Sequence, residues 1–395
     1  MEVNRGSEWN KWDLHVHSPY TYLNGYHCSD DDFIAKLKEK NISVIGLTNY
    51  FKFIDEEYIL KEKLERQGIT VFLNLELRLS YTNNNNDCCD FHVVFDNKLM
   101  KEDISRFLSN LNINLNGTQI KAIDIDSSSI KRANVELDEL MDRLNEKSLN
   151  IHNRFLVGFL SRGKGNARSS TNYEKVHKHT HFIIHSSDSE ENIESDRAFW
   201  LINKKPLVQC SDAHSLDQIG EKFTWIKGLK DFNGLKQIVY EPEERVQPTA
   251  IKPDEKYDYN VIDYLKFKEN SSSFFSSKPI YLNENLNAII GGKSTGKSNL
   301  IRKMVNKVDS NEFNKDSHCI EWINQDIEVV WKNGEGINKK ILYIPQSYLI
   351  KDIESGKTDI SNIVLNSLKS NHTKKKMYEN LDKKMMKLES KLMIV

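Results

Sequence analysis

Residues 287 to 298 read Asn-Ala-Ile-Ile-Gly-Gly-Lys-Ser-Thr-Gly-Lys-Ser, a complete G-x-x-x-x-G-K-[ST] pattern placed after a short apolar run. The pattern works only where a buried strand runs into a loop and the loop opens a helix, so it fixes three consecutive elements at once. Gly291 and Gly296 let the backbone turn its N–H groups inward on phosphate oxygens, Lys297 reaches the β- and γ-oxygens, and Ser298 holds Mg²⁺. Asn299 to Val305 continues with helical spacing. The loop Gly291, Gly292, Lys293, Ser294, Thr295, Gly296, Lys297 and Ser298 is therefore expected to bind ATP with Mg²⁺.

The chain has 395 residues, enough for two domains, and its 38% hydrophobic content suits ordinary packed cores. Its net charge of −1 provides no global basic field, so a nucleic-acid partner would have to be met by local patches. No apolar run approaches the roughly 20 residues that span a bilayer, and Met1-Glu2-Val3-Asn4-Arg5 leads into polar sequence. A soluble, cytoplasmic protein without a membrane partner is expected. Five scattered cysteines (Cys28, Cys88, Cys89, Cys210, Cys319) with no C-x-x-C argue against a disulfide framework and against a zinc ribbon.

Strand-like runs alternate with helical stretches over roughly the first 245 residues. The strand candidates are Trp12 to Val16, Ser43 to Leu47, Thr70 to Leu75, Phe91 to Phe95, Asn153 to Leu160 and Pro206 to Cys210; Asp31 to Lys40 and Asp55 to Gln67 are amphipathic helices. The alternation predicts an α/β barrel or sheet. Asn83 to Asn86 reads as a polar turn. The proline- and charge-rich stretch around Pro248 and Pro253 is expected to be a linker, 248–258, between a domain over 1–247 and another over 259–370. In the second domain, strands are expected at Val261 to Phe267, Ile280 to Leu282, Ile327 to Trp331 and Lys340 to Ile344, with Asn333-Gly334 as a hairpin turn. Residues 371–395 change period. Tyr378, Leu381, Met385, Leu388, Leu392 and Val395 follow the a/d spacing of a coiled coil, so this segment is either the start of one or an amphipathic helix docked on its own domain.

Asp13-Leu14-His15-Val16-His17 sets two histidines on one face of a strand, where they can share a metal. Downstream, Ser211-Asp212-Ala213-His214 repeats the spacing after an apolar strand. Barrel-type α/β folds keep their reactive residues at the carboxyl ends of strands, where both pairs fall. Glu76 and His92 add a carboxylate and an imidazole on two more strands. This mixture of hard and borderline ligands suits Zn²⁺, Mn²⁺ or Fe²⁺, and metal-assisted phosphoester hydrolysis is the natural chemistry. His177, His179 and His181 have the period-2 spacing of a metal face but lie in a lysine-rich stretch and read rather as solvated surface, while Ser161 to Arg168 is a basic loop that either contacts substrate phosphates or is plain charged surface.

These residues resemble the PHP (polymerase and histidinol phosphatase) domain over residues 8 to 245. The resemblance implies a distorted (β/α)7 barrel with metal-dependent phosphoesterase activity, with His15, His17, Asp212 and His214 as catalytic metal ligands and Glu76 and His92 completing the set. Where that family commonly ends its second strand with Asp-His, this chain has Asn49-Tyr50, which reduces the expected centre to one or two ions. His185, or else His152, is the candidate for a further family histidine.

Gln346 resembles the glutamine loop of ABC and SMC-like ATPases, and the heptad seam about 30 residues later strengthens the likeness. Residues 259–370 then correspond to the first lobe of an ATPase head, with no signature motif or acidic Walker B strand following it. ATP hydrolysis has no visible catalytic base, and a partner chain or a second copy is expected to meet the head and coiled coil. The order of domains resembles the TrlF-like PHP–ATPase group. That likeness implies a nuclease on DNA or RNA, in genome maintenance or phage defence, gated by the ATPase head. Two other functions stay open: an SMC-like nucleic-acid sensor on a degenerate PHP scaffold, and a small-molecule phosphatase.

Overall fold

The computed structural model describes residues 3–82, 88–162, 170–185, 187, 189–202, 204–269, 274–313, 325–334 and 339–344. They form two compact units, Met1–Tyr257 with Asn283–Leu286, and Asp258–Leu282 with the residues from Asn287 onward.

In the first unit, strands β1 (Glu8–His17), β2 (Ile42–Tyr50) and β3 (Thr70–Thr82) are parallel neighbours. Helices α1 (Asp30–Glu39) and α2 (Asp55–Arg66) make the crossovers. Strand β4 (Cys88–Phe95) pairs antiparallel with β3. Helix α3 (Lys101–Asn110), a small sheet of β5 (Asn112–Leu115), β6 (Thr118–Lys121) and β7 (Ala133–Asn134), and helix α4 (Leu137–Leu144) follow. Strand β8 (Phe155–Arg162) returns antiparallel to β4. Then α5 (Ser170–His179), β9 (Phe182–His185), α6 (Glu190–Ile202) and β10 (Leu207–Gln209) continue the parallel series. The residues after β10 return to β1 through a parallel bridge between Val16 and Ala213, with His17 N–H donating to Ala213 O at 2.9 Å and Asp212 N–H to His15 O at 3.0 Å. The sheet is thus a nearly closed, barrel-like ring in which β4 alone is reversed among the seven ring strands. Strands β11 (Thr224–Gly228) and β12 (Val246–Gln247) extend it antiparallel beyond β1, with α7 (Phe232–Tyr240) and the short α8 (Pro242–Arg245) between them.

The strands expected from sequence are present, and β9, β11 and the small sheet are additions: each is too short to show a period of its own. Strand β1 carries an irregularity that matters for the site. Asp13 pairs with Ile45 and Val16 with Leu47, so β1 uses three residues where β2 uses two. Side chains on a regular strand alternate faces, and β3 sends Phe72, Asn74 and Glu76 to one side. Trp12 and Leu14 pack with Phe72 in the inner apolar cluster, yet His15 and His17 meet Glu76. The bulge turns the two histidines onto the side that Trp12 and Leu14 already occupy. Gly46 is required opposite it, since a Cβ there would come within 2.0 Å of Leu14 O.

The interior is layered. Trp12, Val44, Phe72, Val94, Phe182 and Val208 fill one end of the ring together with Phe232, Leu235 and Ile238 of α7. The helices α1, α2 and α3 bury Phe33, Leu37, Leu60, Leu64 and Phe107 against the outer face. Cys28, Cys88, Cys89 and Cys210 form no disulfide. No helix among the described residues is long and apolar enough to cross a membrane.

The second unit has a three-stranded antiparallel sheet in the order β14 (Ile280–Tyr281), β13 (Ile262–Phe267), β15 (Ile327–Trp331), with α9 (Lys297–Val308) packed against it. Leu265, Phe267 and Ile327 form its core with Phe275, Leu300 and Met304. Two expected strands differ. Asn287 to Ile290 and Lys340 to Ile344 have no ladder partner among the described residues, and Ile290 is 91% exposed. An extended segment becomes a strand only when neighbours take up its backbone N–H and C=O groups, and none of the described strands does so here. Gly334 (φ +75°) does close a turn on Trp331, without a paired returning strand. Asn83 to Asn86, most of the basic loop after Arg162, Gln346 and the heptad segment lie outside the described residues.

Candidate metal centre

Four side-chain atoms converge where β1, β3 and the turn after β10 end. His15 Nε2 lies 3.1 Å from His17 Nε2, 3.3 Å from Glu76 Oε2 and 3.1 Å from Asp212 Oδ1. His17 Nε2 lies 3.3 Å from the same Glu76 oxygen and 3.1 Å from the same Asp212 oxygen. Five of the six separations among four donor atoms are therefore 3.1–3.3 Å. Those distances suit N and O donors that share one ion about 2.0 Å from each, the usual Zn–N and Zn–O length. The residues present fit a divalent ion. His17, Asp212 and His214 form a second group of donors within 4.8 Å of one another. The structure thus brings together His15, His17, Glu76, Asp212 and His214.

The electrostatics follow from the same geometry. Burial opposes charge on His15, but Asp212 and Glu76 outweigh it and raise its pKa to about 9. Burial likewise works against the two carboxylates, and the imidazoles override it: Asp212 is lowered to about 2 by His15 and His17, and Glu76 is held well below the usual range. Asp212 adopts a left-handed backbone (φ +54°), and its side chain is 40% exposed, so the cluster opens to solvent there. Asp13 fixes the turn: its Oδ1 accepts the N–H groups of Ser211 (3.1 Å) and His15 (3.3 Å). Its own pKa is raised to about 7 by burial.

His92 and His185 stand outside the five-residue cluster but are held as ligands are held. His92 Nδ1 is 3.2 Å from Asn74 Oδ1, and the Asn74 amide donates to Leu14 O and Thr48 Oγ1. The Asn74 oxygen must therefore accept, Nδ1 carries the hydrogen, and Nε2 is left as a buried lone pair with no partner. The His92 ring packs 4.4 Å from that of His15, and burial with the His15 charge lowers its pKa to about 3. His185 Nδ1 lies 3.1 Å from Asp196 Oδ2, which again leaves Nε2 buried without a partner.

Asn49 and Tyr50 part company. Asn49 Oδ1 accepts the Tyr50 N–H and the side chain turns to Glu57, away from the cluster. Tyr50 enters it: the hydroxyl is 3.2 Å from His214 Nε2 and 3.5 Å from His17 Nε2, and the ring stacks on His17 at 4.8 Å. Burial first, then Glu76 and Asp212, push its pKa far up, so the phenol keeps its proton. His177 and His179 belong to α5, where a spacing of two does not share a face, and both are half-buried rather than solvated. His181 Nδ1 accepts the Val157 N–H at the start of β8.

No family model matches the sequence, and no curated protein is a recognisable relative of it. Solved structures share likenesses at low identity. A lesion-specific endonuclease of Pyrococcus furiosus aligns at 14% identity and TM-score 0.42, over 65% of this chain and 62% of the endonuclease. PsfC from Pseudomonas syringae aligns at 14% and 0.38, over 56% and 82%. A Bifidobacterium adolescentis protein described as a metal-dependent phosphoesterase aligns at 10% and 0.33, over 58% and 95%. The chain therefore spans less than two thirds of the endonuclease.

Sequence inspection missed Asp13, Asn74 and Arg78 as parts of this region. The step of two along β3 from Glu76 would have indicated Asn74 and Arg78.

In the second unit, α9 begins after Gly296, whose φ of +87° and contact with Phe274 exclude a Cβ. Lys297 Nζ donates to the carbonyls of Gly291 (2.9 Å) and Gly292 (2.6 Å), and Thr295 Oγ1 to Gly292 O (2.9 Å). Gly291 to Ser298 thus form a loop closed on its own lysine at a helix N-terminus. Gln346 lies outside the described residues.

Proposed function

We propose that the chain is a metal-dependent phosphoesterase that cleaves DNA or RNA, and that its second unit binds ATP with Mg²⁺ and so regulates cleavage. The observation that carries the first part is the closeness of His15 Nε2 and His17 Nε2 to each other and to both Glu76 Oε2 and Asp212 Oδ1. Such closeness among lone pairs and negative oxygens is repulsive unless a proton or a cation sits between them. The closed loop from Gly291 to Ser298 carries the second part.

An ion held by these four residues would supply Lewis-acid activation of a phosphoester and of water near neutral pH. The chain's own groups do the remaining work. His214 donates from Nδ1 to Asp212 O at 2.9 Å, so its Nε2 is the basic atom, and burial with the nearby His17 lowers its pKa and keeps it neutral. That nitrogen can take a proton from an attacking water. The Tyr50 phenol, protonated and beside it, can hold or return a proton at an ester oxygen. Asp13 and Asn74 orient His15 and His92.

Tyr50 favours a second reading, a nucleic-acid sensor on an inactive scaffold, because a neutral phenol occupies a position inside the cluster. Metal analysis together with hydrolysis of bis(p-nitrophenyl) phosphate, single-stranded DNA and RNA separates the two. Cleavage lost in His15→Ala and Asp212→Asn supports the enzyme; less than about one Mn, Fe or Zn per chain, with no cleavage, supports the sensor.

A further inference from the structure

We infer that Arg78 is the residue that binds the substrate phosphate beside the metal cluster, an assignment that rests on the phosphoesterase reading above. Arg78 follows Glu76 by two positions on β3, so the two side chains leave the strand on one face, with Arg78 about 7 Å further toward the open end. Its guanidinium carbon is 5.6 Å from the centre of the Tyr50 ring, whose hydroxyl touches His214 and His17. A planar cation therefore stands one aromatic ring away from the donor atoms.

The surrounding groups leave this cation under-used. A guanidinium has five N–H donors in a fixed fork. One, from Nη1, goes to the carbonyl of Ile130 at 2.9 Å. Asp90, its cross-strand neighbour, comes no nearer than 3.9 Å to Nε, beyond hydrogen-bonding range. The Tyr22 hydroxyl is the other polar neighbour and favours the charge on Arg78. The side chain is 15% exposed, so it is desolvated enough for a phosphate contact to be strong and open enough for one to form.

The chemistry of the cluster explains why a cation is wanted here. Glu76 and Asp212 put two negative charges next to the place where an anionic phosphodiester must come. An ion in the centre offsets them, and a fork of N–H donors further out takes the non-bridging oxygens and sets the orientation of the ester. Arg78 would thus be a substrate-binding residue whose loss appears in KM more than in kcat.

The test uses the full chain and its Arg78→Gln and Arg78→Lys variants; the glutamine retains an N–H donor for Ile130 O without the charge. Titration with Zn²⁺ or Mn²⁺ alone should show unchanged stoichiometry in both variants. Calorimetric titration with inorganic phosphate should show affinity at least tenfold weaker in Arg78→Gln and intermediate in Arg78→Lys, and KM for bis(p-nitrophenyl) phosphate should rise at least tenfold. Equal phosphate affinity in the parent and Arg78→Gln overturns the assignment, even if the variant is less stable. If the parent binds no metal, the phosphoesterase reading fails, while phosphate titration of the metal-free chain still decides Arg78.

Discussion

The hydroxyl of Tyr50 lies 3.2 Å from Nε2 of His214, and the Tyr50 ring stacks on His17. A phenol that holds its proton cannot serve as an anionic ligand, yet it fills space that an imidazole would reach. Tyr50→His is therefore expected to raise the number of Zn²⁺ or Mn²⁺ ions bound per chain, as measured by elemental analysis after dialysis. Tyr50→Phe should leave that number unchanged and slow phosphodiester cleavage by at least about tenfold through loss of the proton donor. A drop in metal content in Tyr50→Phe would mean that the oxygen itself is a ligand.

Removing a donor atom should weaken metal binding more than removing a group that orients one. His15→Ala and Glu76→Gln are each expected to lower the affinity for Zn²⁺ by more than the ~10–100-fold typical of outer-shell changes. Asn74→Ala, which frees the His92 ring, should fall within that range. Competition titration with a chromogenic chelator orders the three variants, and an Asn74→Ala effect exceeding both others would contradict the arrangement.

Glu57 is buried, its Oε2 accepts the Ile54 N–H at 2.9 Å, and burial raises its pKa from 4.5 to about 7. The folded state thus holds a proton that the unfolded chain has lost between those values. The stabilisation is fully present below about pH 4.5 and is lost as pH rises through about 7. Glu57→Gln should flatten this dependence, gaining up to about 3 kcal/mol on the parent at pH 8 relative to pH 4.5. Urea unfolding at the two pH values measures it; parallel pH profiles for the two proteins would show that Glu57 does not carry the effect.

Lys297→Ala is expected to abolish measurable binding of a fluorescent ATP analogue, since that ammonium is the cation the pattern assigns to the phosphates. Gly296→Val should do the same for a backbone reason, the φ of +87° and the nearby Phe274 and Phe275 rings. Neither change should alter the metal content of the first unit. Full ATP binding by Lys297→Ala would remove the nucleotide from the proposal.

How much of the site was legible in advance depends on whether a residue's role is set by its neighbours in sequence. The pairs His15 with His17 and Asp212 with His214 were legible because a step of two on an extended chain puts side chains on one face. Glu76 was found as a carboxylate following one apolar strand run and His92 as an imidazole within another. The fates of Asn49 and Tyr50 were not legible: adjacent residues on a strand point to opposite faces, and only the pairing of β2 shows which one enters the ring. His185 gained its ligand-like posture from Asp196, eleven residues away on a helix.

The order of strands and helices, the positions of the histidine pairs and the glycine pattern of the loop after Ile290 were written in local sequence, through periodicity and backbone freedom. Tertiary structure decided the rest. The bulge between Asp13 and Val16 aims His15 and His17 inward, the reversed β4 brings His92 beside His15, and the Val16–Ala213 bridge carries Asp212 across nearly 200 residues to the same point. The same dependence explains why Asn287 to Ile290 is in no strand ladder among the described residues. A strand's hydrogen bonds belong to its neighbours, and no apolar run can specify them alone.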